Sequence, residues 1–173
     1  AQAIRLRALI ATHGHYDHVC GAATLQKLYN VPFAVSSLDE YVFSTAPFDG
    51  YRYQFQFNNG SVSIDLAAGE ALRFGHSEIR PLPTPGHTLG GTSLYMPSSA
   101  IVFTGDTLLS GTVGRTDLKG SDHNMLVGSI ATQLLKLPDN VDVYPGHGPQ
   151  TTIGRERSDN EYLNGTTRLE DFC

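Results

Sequence analysis

The chain of 173 residues contains no tryptophan and only two cysteines, Cys20 and Cys173. They lie far apart and in no Cys-x-x-Cys spacing, which gives no disulfide framework and fits a reducing, cytoplasmic compartment. Cys20 is expected to be a small buried residue on a helix. Basic residues are also scarce: 12 Lys and Arg stand against 17 Asp and Glu, a net charge of −5. Without a basic cluster to meet phosphates, nucleic acid is excluded as the main partner. No apolar run is long enough to cross a bilayer, so no membrane-spanning helix is expected. What is present, 40% hydrophobic and 17% charged residues, is the composition of one globular domain over 1–173 with room for its own core.

Periodicity predicts an α/β chain. Ile4 to Ala11 reads as an apolar strand running into a polar turn, Thr12 to His18. Asp17 is placed to cap a helix from about Val19 to Tyr29, stopped by Asn30 and Pro32. Phe33 to Val35 is a short strand, and Ser37 is expected to cap a helix over Leu38 to Phe43. Aromatic and polar residues alternate from Tyr51 to Phe57, a period of two that suits a half-buried strand or an extended loop across a cleft. Strands follow at Val62 to Leu66, Ala71 to Phe74, Glu78 to Pro83, Thr92 to Met96 and Ala100 to Thr104. A helix is expected over Asp122 to Leu137, a strand over Val141 to Tyr144 and a short helix over Gly154 to Leu163.

Five of the seven histidines fall in loops just after strands, where a rigid sheet aims them. Three stand in His13-Gly14-His15-Tyr16-Asp17-His18; the others are His87, after Pro85-Gly86, and His147, between Gly146 and Gly148. A single histidine says little, but neutral imidazoles gathered with carboxylates are the donors that zinc and iron prefer. His76 and His123 lack such a setting and are expected at the surface. Asp106 ends an apolar strand in Phe-Thr-Gly-Asp-Thr, where an unpaired carboxylate is costly and two cations a few ångströms apart would hold it. Glycines beside His87 and His147 let the backbone come close to a bound ion.

These motifs resemble those of the metallo-β-lactamase superfamily: Thr12 to His18, Thr84-Pro85-Gly86-His87-Thr88, Phe103-Thr104-Gly105-Asp106-Thr107 and Pro145-Gly146-His147-Gly148. Gly114-Arg115-Thr116-Asp117 and the segment from Gly148 to Gly154 with Glu156-Arg157 narrow the resemblance to short glyoxalase II-like hydrolases. The resemblance implies an αββα sandwich of two mixed sheets flanked by helices. It also implies one metal on His13, His15 and His87, a second on Asp17, His18 and His147, and Asp106 bridging both, with Asp17 and Asp106 counted as catalytic groups. Two divalent ions are implied, zinc first and iron or manganese as alternatives. They would hold a hydroxide that attacks a small thioester such as a hydroxyacylglutathione.

Arg115 and Asp117 are expected to form an ion pair that pins their loop, with contact to an anionic substrate as the alternative. Tyr144 and the aromatics Tyr51, Tyr53, Phe55 and Phe57 are candidates for the substrate pocket, or for plain packing. Relative to the resembled family the chain starts at the strand before the histidine motif and carries only Pro149 to Cys173 after the last one. The expectation is therefore a sheet lacking its N-terminal strands, covered by another segment or by a homo-oligomer partner, and no appended glutathione-binding helical domain. Two further readings remain at this point: a persulfide dioxygenase of the same superfamily with one iron on His13, His87 and Asp106, and a metal-binding fragment without turnover.

Overall fold

The computed structural model describes residues 5–164. Its first third pairs three parallel strands, β1 (Leu9–Ile10), β2 (Phe33–Val35) and β3 (Val62–Asp65), with helices α1 (Tyr16–Val19), α2 (Ala22–Tyr29) and α3 (Glu40–Arg52) between them. Side chains alternate across the strands. Leu9, Phe33 and Val35 pack with Val19, Ala22, Phe43 and Ala46 of the helices. Ile10, Ala34 and Ile64 point to the opposite face.

The rest builds a mixed sheet of six strands in the order β11-β10-β7-β6-β5-β4: β4 (Leu72–Phe74), β5 (Ser77–Pro83), β6 (Thr92–Met96), β7 (Ile101–Gly105), β10 (Asp142–Pro145) and β11 (Thr151–Thr152). Between β7 and β10 lie the small hairpin β8 (Leu108–Leu109) and β9 (Thr112–Val113) and helix α4 (His123–Ser129); α5 (Ile153–Asp159) and α6 (Glu161–Asn164) close the described chain. One face of this sheet meets the first with Leu72, Ile79, Leu94 and Met96. The other carries Val102 and Val143 against Leu126, Ile130, Leu134 and Ile153. The order helices, sheet, sheet, helices is the expected αββα sandwich. Leu126, Ile130 and Leu134 repeat every four residues and are fully buried, each contributing about 1.5–3 kcal/mol of transfer free energy.

Several local expectations are corrected. Within Ile4 to Ala11 only Leu9 and Ile10 pair as strand, Ile4 lying outside the described residues. The first helix begins at Tyr16 behind His15, so Asp17 is in its first turn and caps nothing. Cys20 ends α1 half-buried, not buried, and Gly21 separates α1 from α2. Ser36, not Ser37, accepts the capping bond, from Leu38 N–H at 3.3 Å, and opens a 3-10 turn over Ser37–Asp39.

The next helix, α3, runs on through Pro47 to Arg52. Pro47 has no N–H for the carbonyl of Phe43, and Asn59 Nδ2 donates to that carbonyl at 2.6 Å instead. Tyr51 and Arg52 are therefore helical, and a turn with Gln54 at φ 63° follows, so the alternating aromatic stretch is no strand. Asp122 caps α4 by accepting from Met125 N–H at 2.8 Å, and the helix widens into a π-turn over Ile130–Leu134 that ends before Leu137. The last expected helix is two, α5 and α6, parted by Asn160. Among the described residues no helix is long and apolar enough to cross a membrane.

Candidate metal centre

Strands β5 and β7 each pair antiparallel with β6, and β10 runs parallel to β7, so all three end on one edge of the large sheet. The loops leaving that edge carry His87, Asp106 and His147, and the loop after β1 brings His13, His15, Asp17 and His18 to meet them. Thr92 N–H donates to the carbonyl of Thr12 at 2.9 Å, tying the two sheets together at this point. All seven residues singled out in the sequence thus converge. Three groups place their donor atoms within 4.8 Å of one another: His13 with His15 and His87, His13 with His18 and Asp106, and Asp17 with His18 and His147.

Asp106 stands between the groups. Its Oδ1 lies 3.6 Å from His18 Nε2, while its Oδ2 lies 3.6 Å from His87 Nε2 and 3.4 Å from His147 Nε2. Asp17 Oδ2 is 3.2 Å from His147 Nε2 and 3.6 Å from His18 Nε2. His13 and His87 are buried, whereas His147 is exposed at the mouth.

Backbone shape permits this crowding. Gly86, at φ 135°, faces the backbone of Leu126 so closely that any Cβ would collide with it, and a Cβ on Gly146 would strike Asp106 Oδ1. Gly148 differs: it has open space around it but φ 81°, so it is a conformational and not a close-approach glycine.

The donor chemistry fits a cation. His13 Nε2, His18 Nε2 and Asp106 Oδ1 are buried without hydrogen-bond partners, a costly state unless something positive lies among them. His87 Nδ1 is 2.9 Å from the carbonyl of Arg115; donation there leaves the Nε2 lone pair facing His15 Nδ1 at 3.0 Å. Burial, followed by repulsion from His18, His15, His87 and His147, pulls the pKa of His13 well below its ordinary value. Burial and His87 lower that of His15 in the same way, against smaller opposing effects of Asp17 and Asp39. Burial pushes Asp106 up, but His18, His147 and His87 outweigh it and hold the carboxyl below the ordinary range. Lowered proton affinity at His13 and His15 beside an ionised Asp106 is the protonation pattern a metal needs.

The remaining candidates sit differently. Arg115 forms a two-pronged fork with Asp117, both bonds 2.7 Å and both side chains exposed, which is the expected clamp. Nothing in the sequence marks the backbone carbonyl of Arg115 as the partner of His87, since a carbonyl carries no residue-type signal. Tyr53 stacks on Tyr16, the residue between His15 and Asp17, with ring centroids 5.2 Å apart. Tyr51 and Phe55 are exposed, and Phe57 packs into the first core. Tyr144 lies against Phe103 at 5.5 Å and lines a cleft of about 210 Å³ between the sheets, with Ile10, Leu94 and His18. His76 and His123 are exposed, as expected.

Comparison with known proteins places this arrangement. Hydroxyacylglutathione hydrolase GloC of Haemophilus influenzae is 34% identical over 170 residues, 93% of this chain and 77% of its own length. The crystal structure of the BLEG-1 B3 metallo-beta-lactamase superposes with a TM-score of 0.86 at 30% identity, over 94% of this chain and 79% of that one. TTHA1623 in a di-iron-bound form gives 0.81 at 35% identity, over 90% and 77%. The profile of the metallo-beta-lactamase superfamily matches residues 1–147, and with it the chain belongs to that superfamily.

Proposed function

We propose that this protein is a metal-dependent hydrolase of small thioesters, with hydroxyacylglutathione as the model substrate. One cation would be held by His13, His15 and His87 and a second by Asp17, His18 and His147. The observation that carries the reading is Asp106, whose Oδ1 faces His18 while its Oδ2 faces His87 and His147, a carboxylate shared between two donor groups. Cations in such positions lower the pKa of water to near neutrality and stabilise an oxyanion.

The residues of the chain do the rest. The carboxylate of Asp17, partly exposed at the mouth beside His147, is placed to hold the proton that the attacking water gives up. The water oxygen bonds to the acyl carbon, the C–S bond breaks, and sulfur leaves with the electron pair as a thiolate that needs no acid. Likeness to a hydroxyacylglutathione hydrolase at 34% identity supports the substrate class. Zinc and iron both suit imidazole and carboxylate donors, and a similar chain is known in a di-iron-bound form.

A single iron on His13, His87 and Asp106 is the competing reading. It leaves His147 and Asp17 without a task and the buried Nε2 of His18 without a partner. Elemental analysis beside a lactoylglutathione assay separates the two. Two metals per chain with thiol release are expected; one iron with oxygen uptake on glutathione persulfide would overturn the proposal, as would two metals without thioester hydrolysis.

A further inference from the structure

Asp39 follows β2 at the start of α3 and is wholly buried, yet its carboxylate faces no basic side chain among its hydrogen-bond partners. Its Oδ2 accepts from Gly14 N–H at 2.8 Å and from the Thr88 hydroxyl at 2.9 Å; its Oδ1 accepts from Gly90 N–H at 2.6 Å. These partners have a pattern. Gly14 is the residue between His13 and His15, and Thr88 follows His87, so each member of the three-histidine group is chain neighbour to a residue held by this one carboxylate. None of its bonds reaches a neighbour of Asp17, His18 or His147.

The strut is tightly fitted. A Cβ added at Gly90 would lie 2.6 Å from Asp39 N and 2.7 Å from its carboxyl carbon. Three donors offset the cost of burying the carboxylate.

We propose that Asp39 is the positioning residue of the three-histidine metal position, fixing the spacing between the His13–His15 segment and the His87 loop and setting the affinity of that position without touching the ion. The inference rests on the metal-centre reading above.

Asp39→Asn tests it, because an amide cannot serve all three donors: whichever way it turns, its NH2 meets at least one backbone N–H. Thr88→Val removes a single bond and leaves the carboxylate in place. Each is made in a His147→Ala background, where only the three-histidine position can fill tightly, and in a His15→Ala background, where only the other can. Co(II) affinity is read by competition with a chromophoric chelator, and folding by circular dichroism. The expected result is a loss of about 10- to 100-fold in Co(II) affinity for Asp39→Asn in the first background, a smaller loss for Thr88→Val, and no change in the second background. Equal losses in both backgrounds, or a lowered melting temperature with affinity unchanged, would overturn the proposal. If Asp39→Asn does not fold, Thr88→Val decides: unchanged affinity in the His147→Ala background refutes the role. Parent chains that take up no Co(II) would instead bring down the metal-centre reading itself, and the two failures are told apart.

Discussion

The Nδ1 atom of His87 lies 2.9 Å from the carbonyl oxygen of Arg115, while the guanidinium of Arg115 turns away into its fork with Asp117. One residue thus touches the site through its backbone and the solvent through its side chain. Because Arg115→Ala keeps the carbonyl, metal content by elemental analysis is expected to stay at the parent level. Asp117→Asn should behave likewise, and both should barely move the melting temperature, since an exposed pair is strongly screened. If the guanidinium also meets an anionic substrate, Arg115→Ala raises KM where Asp117→Asn does not. Loss of metal in Arg115→Ala would contradict the division of roles.

The two glycines around His147 should part company. Gly146→Ala drives a methyl into Asp106 Oδ1 and close to His18, so bound metal is expected to fall, with any hydrolysis following it. Gly148→Ala meets open space but sits at φ 81°, and its cost is about 1 kcal/mol of backbone strain with metal content unchanged. Thermal melts and elemental analysis on the pair check this contrast.

Acid should weaken the metal-free fold before it touches the carboxylates. His13 and His15 have folded pKa values below 6.5, so between those values and 6.5 the unfolded chain binds more protons than the folded one. Stability therefore rises with pH up to about 6.5 and is lost as pH falls below it. The depressed carboxyl of Asp106 adds a second loss only below its ordinary value of 3.8. Melting of the EDTA-treated protein from pH 7.5 down to 5 (chosen to bracket the window) should show the first fall; a flat profile would contradict it.

Behind the His87 loop, α4 acts as a wall. Leu126 is fully buried and its backbone meets Gly86, so Leu126→Ala opens a cavity and should cost about 2–5 kcal/mol in denaturant unfolding. The backbone contact is kept, so metal stoichiometry in the folded protein should remain that of the parent.

Much of this was legible because the sheet ends announce themselves. The strands at Phe33–Val35 and Thr92–Met96 match their expected bounds, and each ligand motif begins where apolar periodicity stops. What escaped depended on partners distant in sequence. The helix through Pro47 survives because Asn59, 16 residues from Phe43, takes up the freed carbonyl. The alternation from Tyr51 to Phe57 mimics a strand, but the left-handed turn at Gln54 breaks it. Asp39 carries no signal of its own in the sequence, because its three donors lie 25, 49 and 51 positions away.

The donor atoms are divided between the two sheets: His13, His15, Asp17 and His18 follow β1, while His87, Asp106 and His147 follow strands of the larger sheet. Neither half owns a full set. A chain whose halves have folded but not docked would present half-sites that bind weakly and exchange freely, so tight retention of an ion serves as a seal on correct assembly. Metal uptake during refolding would then mark the moment the two halves close, later than the appearance of their secondary structure.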